Sequence, residues 1–373
     1  MWHKYANFVV NNAAQVSSIE SGLRTLTYIL PGRFADAELA SEAIYTLLSF
    51  VGVYHDGLLA RAAKSGLLAD KEGRPVDIEV SPFNRYHGKL SQESDLYRLA
   101  AHLLSALQFS EKLVEMVVVK KMGEKLRWKV VSLIEIAKVV LRLNLLQLSG
   151  QRMVTGNVVP ERLVDPAGLG TVRKPAAEGA LLSATTAGNG GLSWKGERSG
   201  LKFKAVRDIL AKTEGSATLS GFITGEAREA ERVAPAQSLV RCYNSLGLVG
   251  ELLFILRPLI YVIGIRKMGK SDWRPWALSL LIELVSRQMI RTDLGTGKNS
   301  AAERTVERDE LSRRKWLFLY YLLRSPFFDR YTESRLTRVA EWCNNKPLLS
   351  LLGSLIQDYQ PLWQNYYFYT AAS

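Results

Sequence analysis

The residue types that most often carry out chemistry are few and scattered in this sequence. Its four histidines, His3, His55, His87 and His102, form no His-x-x-x-His pair and no cluster with cysteine, which argues against a transition-metal site. His55 is followed by Asp56, but neighbours on a helix point about 100° apart, so the two read as a polar helix end rather than a catalytic dyad. Cys242 and Cys343 stand far apart, which disfavours a disulfide framework or a thiolate zinc site and fits a reduced compartment. Gly295-Thr296-Gly297-Lys298 resembles part of a phosphate-binding loop. However, Thr292 occupies the place of its first glycine, Asn299 that of its Ser/Thr, and no apolar strand precedes it. Gly168-Leu169-Gly170 lacks the third glycine of a dinucleotide motif, because Arg173 stands there. No catalytic residue, cofactor or metal ligand is expected.

The more informative residues are charges set inside apolar runs. Trp128 to Leu148 has about the length of a membrane span, yet Glu135, Lys138 and Arg142 fall on one face of it. Their cost at a bilayer centre, about 8 to 10 kcal/mol together, exceeds what the apolar residues return. Insertion therefore requires a Glu135–Lys138 pair or burial of the stripe against another helix. Leu246 to Ile265 is the better span, carrying only Glu251 and Arg257 as charges, with Pro258 as a kink that neighbouring helices tolerate. Ala277 to Ile290 holds Glu283 and Arg287 one turn apart and reads as amphipathic or re-entrant. Trp273 and Trp276 sit where interfacial anchors would be useful. If both long runs cross, the flanking lysines and arginines place both termini in the cytosol. The same features fit a large helical core with solvated basic faces, and the residues alone leave both readings open.

Composition narrows the class. The 373 residues are 47% hydrophobic and 23% charged, enough to bury a core, with a net charge of +13 that favours an anionic partner. Basic residues flank the apolar runs rather than forming a recognition helix, which suits lipid headgroups better than nucleic acid. A soluble basic helical scaffold binding nucleic acid is the alternative. Asn7, Asn11 and Asn12 interrupt any signal-peptide core, and the last residues match no retrieval or import address.

The elements that must position these charges are helical. Ser17-Ser18-Ile19-Glu20 reads as a capping box opening a helix with Ile19, Leu23, Leu26 and Leu30 on one helical face, ended by Pro31-Gly32. A second helix starts at Asp36 and reaches Asp56-Gly57 or a little beyond. Ser65 to Leu90 reads as an exposed connection. A third helix then carries Leu96, Ala100, Leu103, Leu107 and Val114 as a buried stripe. From Gly150 to about Pro235 glycine and alanine dominate, indicating a flexible insertion with a short amphipathic helix around Phe203 to Leu210. Thr292 to Arg308 reads as a further loop. The expected fold is all-α, a membrane-associated multi-helix bundle with a long flexible central insertion. Its regions are residues 1–149, the insertion at 150–235, and residues 236–373.

Several strings go further than composition. Leu30-Pro31-Gly32-Arg33-Phe34-Ala35-Asp36, with Ser41-Glu42, Tyr45 and Asp56-Gly57, resembles the N-terminal signature of the peroxin-16 family. Gly123 to Trp128 and Ala137 to Arg142 are similar to that family's central apolar segment. Arg257-Pro258-Leu259, Trp273-Arg274-Pro275-Trp276, Tyr320 to Arg330 and Tyr366 to Tyr369 follow in family order. The resemblance implies a peroxisomal membrane protein without enzymatic activity or cofactor. It also implies a protein that docks peroxin-3, supports delivery of membrane proteins escorted by peroxin-19, and travels partly by way of the endoplasmic reticulum. Within the matching strings, Arg33, Phe34, Asp36, Arg324 and Arg330 are the candidate partner contacts. Glu135, Lys138, Arg142, Glu251, Arg257 and Pro258 are the candidate membrane-embedded residues.

Overall fold

The computed structural model describes residues 2–31, 36–64, 68, 80–169, 194–195, 202–203, 239–295, 305–346 and 349–364. Eleven α-helices are seen among them. The first six are α1 (Trp2–Asn11), α2 (Ala13–Ile29), α3 (Ala37–Lys64), α4 (Pro82–Glu93), α5 (Asp95–Met122) and α6 (Glu124–Leu148). The rest are α7 (Ser245–Met268), α8 (Trp273–Gly295), α9 (Thr305–Leu317), α10 (Glu333–Asn344) and α11 (Ser350–Leu362). A two-residue antiparallel ladder pairs β1 (Trp194–Lys195) with β2 (Lys202–Phe203). Phe203 is therefore in a strand rather than in the expected amphipathic helix, whose remainder, like the remaining insertion beyond Leu169, lies outside the described residues.

Helix boundaries follow local chemistry, with three departures from expectation. Helix α2 runs through the supposed capping box from an earlier start at Asn12, and it stops at Leu30 before Pro31 as expected. Within the presumed connection, Ser81 caps α4 by accepting a hydrogen bond from Asn84 N at 3.2 Å, while Pro82 occupies the first turn, where no backbone N–H is needed. Helix α3 continues to Lys64, so His55 and Asp56 lie mid-helix rather than at its end. There His55 pairs with Glu20 of α2 and Tyr5 of α1, and Asp56 with Arg162, tying three segments together.

The helices pack in sequence order, α2 on α3, α3 on α5, α5 on α6, α6 on α7 and α7 on α8. Helices α7 and α8 form an antiparallel hairpin drawn close by small residues. A Cβ on Gly264 would meet Pro275 Cβ at 2.9 Å, and Ser286 Oγ donates to Gly250 O at 2.7 Å. At the other end, α10 and α11 form a second hairpin that touches α2 through the Tyr359 hydroxyl, which donates to Tyr28 O at 2.9 Å.

On several helices the polar face is buried and much of the apolar face is exposed. The stripe expected to be buried on α5 faces outward in part, with Leu96 67% exposed and Leu103 and Val114 also exposed although Ala100 is buried, while Glu111 and Glu115 are buried. On α2, Ile19, Leu23 and Leu26 are exposed. On α3, Leu47 and Phe50 are exposed while Ser41, Glu42, Thr46 and Ser49 are inside. Helix α8 buries Ser279, Glu283 and Ser286 and exposes Leu278, Leu281 and Leu284. Such an arrangement opposes the ordinary partition in water, where apolar side chains gather inside and large apolar patches mark contact surfaces.

One apolar cluster, which includes Tyr86, Leu90, Tyr97, Leu104, Leu145, Tyr243 and Ile290, joins the two halves of the chain, and a further one gathers Leu59, Ala62 and Val164. The stretch 151–169 contributes to both. Expected as the start of the flexible insertion, it instead buries Met153, Val154, Val158 and Val164. Arg152 bridges to Cys242, and Tyr243 N donates to Gln151 O at 2.9 Å, so the two ends of the insertion are fastened side by side.

Two predictions follow. Gly264→Leu forces the α7–α8 hairpin apart and lowers stability by about 1 to 3 kcal/mol, read as an earlier thermal transition of the detergent-solubilised protein. His87 is buried between the Tyr97 and Thr155 hydroxyls, and burial, outweighing the pull of Glu310, lowers its pKa to about 4. The unfolded chain takes up this proton near pH 6.5 and the folded chain does not. Stability is therefore complete above that pH and falls by about 2 kcal/mol between pH 7 and pH 5, a loss that His87→Gln abolishes.

Candidate functional site

The buried charges form a spine through the bundle. On α6, Glu135 and Lys138 are each 1% exposed and Arg142 is 7% exposed, all three facing inward. Lys138 Nζ lies 2.7 Å from Glu135 Oε1, the expected pair, and donates to Glu111 Oε2 of α5 at 2.9 Å. One turn further along α5, Glu115 receives Arg127, whose guanidinium also reaches Glu124 at 3.0 Å. Leu133, Ile136 and Val140 occupy the opposite, exposed face of α6. Trp128 to Leu148 is thus not an isolated span, because its ionic stripe is an internal contact surface.

A second cluster joins the halves. Arg314 of α9 donates to both carboxylate oxygens of Glu251 at 2.8 and 2.9 Å, to Glu310 at 2.9 Å and to Val154 O at 2.8 Å. The Tyr243 hydroxyl donates to Glu251 at 3.1 Å, and the Phe254 ring faces the Arg314 guanidinium at 3.9 Å. Burial alone would raise the pKa of Glu310, but hydrogen bonds from Arg313 and the charge of Arg314 carry it down to about 2. Deeper in the hairpin, Arg257 of α7 pairs with Glu283 of α8, which also accepts from Arg287 at 3.0 Å. Buried Pro258 lies beside this pair within α7.

One candidate partner contact, Arg324, and one candidate interface anchor, Trp276, are placed differently than expected. Arg324 is buried between the Tyr261 and Tyr321 rings, at 4.9 and 4.7 Å, so it belongs to the interior. Trp276 is also an internal support, donating from Nε1 to Tyr321 O at 3.1 Å and stacking on Phe327, whereas Trp273 reaches the surface. Arg330 is exposed, and exposed Asp36 pairs with Lys120 at 2.6 Å. Arg33 and Phe34 lie outside the described residues.

Sequence reasoning missed Glu111, Glu115, Arg127, Glu310 and Arg314. The available signal was the four-residue spacing of Glu111 with Glu115 and of Glu310 with Arg314, which puts each pair on one helical face. Among the described residues, two helices are long and apolar enough to cross a membrane, Ala37–Ala63 and Ser245–Met268. The second was expected. The first replaces Trp128 to Leu148, and its small polar side chains concealed it.

The family described as Peroxisomal membrane protein (Pex16) matches residues 3–365. The chain belongs to the Pex16 family. Peroxisome biogenesis protein 16 of Arabidopsis thaliana is 27% identical over 395 residues, covering 99% of each chain. Peroxisomal membrane protein PEX16 of Schizosaccharomyces pombe is 21% identical and covers 94% of this chain and 93% of its own. Peroxisome biogenesis factor 16 of Dictyostelium discoideum is 35% identical over 126 residues, or 34% of this chain and 31% of its own. No solved structure is significantly similar. The Pex16 family is one of peroxisome biogenesis factors of the peroxisomal membrane.

Because the Glu251–Arg314 pair is buried, removing one partner strands the other. Glu251→Leu is expected to destabilise the detergent-solubilised chain by about 3 to 5 kcal/mol. Adding Arg314→Met to it should restore much of that loss, as read by thermal unfolding of single and double variants.

Proposed function

We propose that this Pex16-family chain is a non-enzymatic assembly factor embedded in the peroxisomal membrane. It docks peroxin-3, and through it supports insertion of membrane proteins brought by peroxin-19, reaching the peroxisome in part through the endoplasmic reticulum. The observation that carries the membrane-embedded part is the inversion of the bundle, with paired charges inside and apolar side chains on the perimeter. In hydrocarbon the perimeter has no reason to hide, and ionisable groups belong in the bundle interior with partners. Helices α3 and α7 supply the length to cross. The peroxin-3 part draws on the family strings in the sequence, of which exposed Asp36 and Arg330 are the available surface contacts.

Two measurements test the reading separately. Alkaline carbonate should leave the chain in the membrane pellet; release into the supernatant sinks the embedded bundle. Peroxin-3 should co-purify with the chain from mild detergent and be reduced at least several-fold by Asp36→Arg with Arg330→Glu. Unchanged recovery in that variant removes these residues from the docking surface.

A further inference from the structure

Beside the charged spine lies a cavity of about 310 Å³, between α3 and α5 on one side and α7 and α9 on the other. Its volume is at the lower end of the range for small-ligand sites. Arg142 reaches it from α6, Lys112 and Glu111 from α5, Glu251 from α7 and Arg313 from α9, with Tyr45 closing the side formed by α3.

The charges around this cavity are unequally satisfied. Glu251 is held by Arg314, and Glu111 by Lys138 and Lys112. Arg313 makes two hydrogen bonds to Glu310, each 2.8 Å. Lys112 lies 3.4 Å from Glu111 and 3.6 Å from Glu115. Arg142 differs from all of these. It is 93% buried by its 7% exposure, Nε meets no hydrogen-bond acceptor, and no carboxylate lies within ion-pair reach among the described residues. Glu135, two turns back on the same helix, is already engaged by Lys138. A buried guanidinium without a carboxylate is costly, and its natural complement is an oxyanion that accepts from it directly. Glycine at position 156 adds to the construction, because a Cβ there would fall 2.0 Å from the Arg313 guanidinium at the cavity wall.

We propose that this cavity is a phosphate site in which Arg142 is the principal ligand, supported by Lys112, and that the phosphate is that of a membrane phospholipid. Phe109, Phe254, Ile255 and Leu317 line the same cavity. A free phosphate ion would exchange its hydration shell for these apolar neighbours, whereas a lipid phosphate arrives with acyl chains that lie along the apolar perimeter of α3 and α5. The cavity is too small for a whole lipid, so the headgroup enters and the tails remain outside. This site is independent of peroxin-3 docking and extends the function to direct recognition of a lipid.

The test uses the full chain in detergent, with phosphatidic acid, the matched diacylglycerol that lacks the phosphate, and inorganic phosphate as probes, followed by thermal melting and native mass spectrometry. Phosphatidic acid should raise the melting temperature and appear as a bound adduct, and diacylglycerol should do neither. Arg142→Met should keep or raise the unliganded melting temperature while weakening phosphatidic acid roughly tenfold to a hundredfold. Lys120→Met, which removes an exposed charge of the same sign, should leave binding unchanged. Inorganic phosphate acting as strongly as the lipid keeps the site and overturns its lipid source. The proposal falls if Arg142→Met retains the shift, if Lys120→Met loses it equally, if the wild type responds to no phosphate-bearing probe, or if Arg142→Met melts early without ligand.

Discussion

A guanidinium removed from water requires an oxyanion at contact distance, and much of this architecture follows from meeting that requirement for Arg314. Its hydrogen bonds to Glu251, Glu310 and Val154 O draw α7, α9 and the 151–155 segment to a single point. Tyr243 adds the chain that leads into α7. Elements from both halves of the sequence therefore meet at one buried ionic contact, and the short segments flanking the insertion are held by it together with the apolar cluster that takes in Met153, Val158, Val240 and Tyr243.

The same requirement, repeated along the bundle, sets helix orientation. A buried ion pair adds little net stability over well-packed apolar groups, but an unpaired one is costly, so mismatched alignments are strongly disfavoured. Arg257 with Glu283 fixes one alignment of α7 against α8, and the close approaches at Gly250 and Gly264 permit no other at the same spacing. Lys138 with Glu111 does the same for α6 against α5. Between helices in lipid, where apolar contact gives no hydrophobic gain, small residues and polar contacts are the remaining means of association.

Helix content, the order of the two halves and the α7 span were legible in the sequence, because length and apolar spacing report them directly. The direction of each face was not. Periodicity identifies that Leu96, Leu103 and Val114 share a side of α5, but it carries no sign, and the choice of inside or outside depends on the solvent the helix meets. Helix α4 hides in a stretch rich in Gly and Pro, where Pro82 resembles a breaker, although after Ser81 it is a helix opener. The charged partners were illegible for a different reason. Arg127 and Glu115 are 12 residues apart, and Arg314 and Glu251 are 63 apart, so only the fold brings them together. Pairs three or four apart on one helix, such as Glu135 with Lys138 and Glu283 with Arg287, are the ones that sequence spacing can show.

The bridge between Arg152 and Cys242 has a consequence for how such a chain can change over time. Both strands of the neck emerge at one spot on the folded body, so the gap between them is already closed whatever length of polypeptide is strung across it. Lengthening or shortening that intervening stretch costs little in closure entropy, since each doubling adds only about 0.6 kcal/mol. It leaves the alignment of the helices untouched. The number and composition of residues between the two strands can therefore diverge while the ionic interior stays bound by its own geometry.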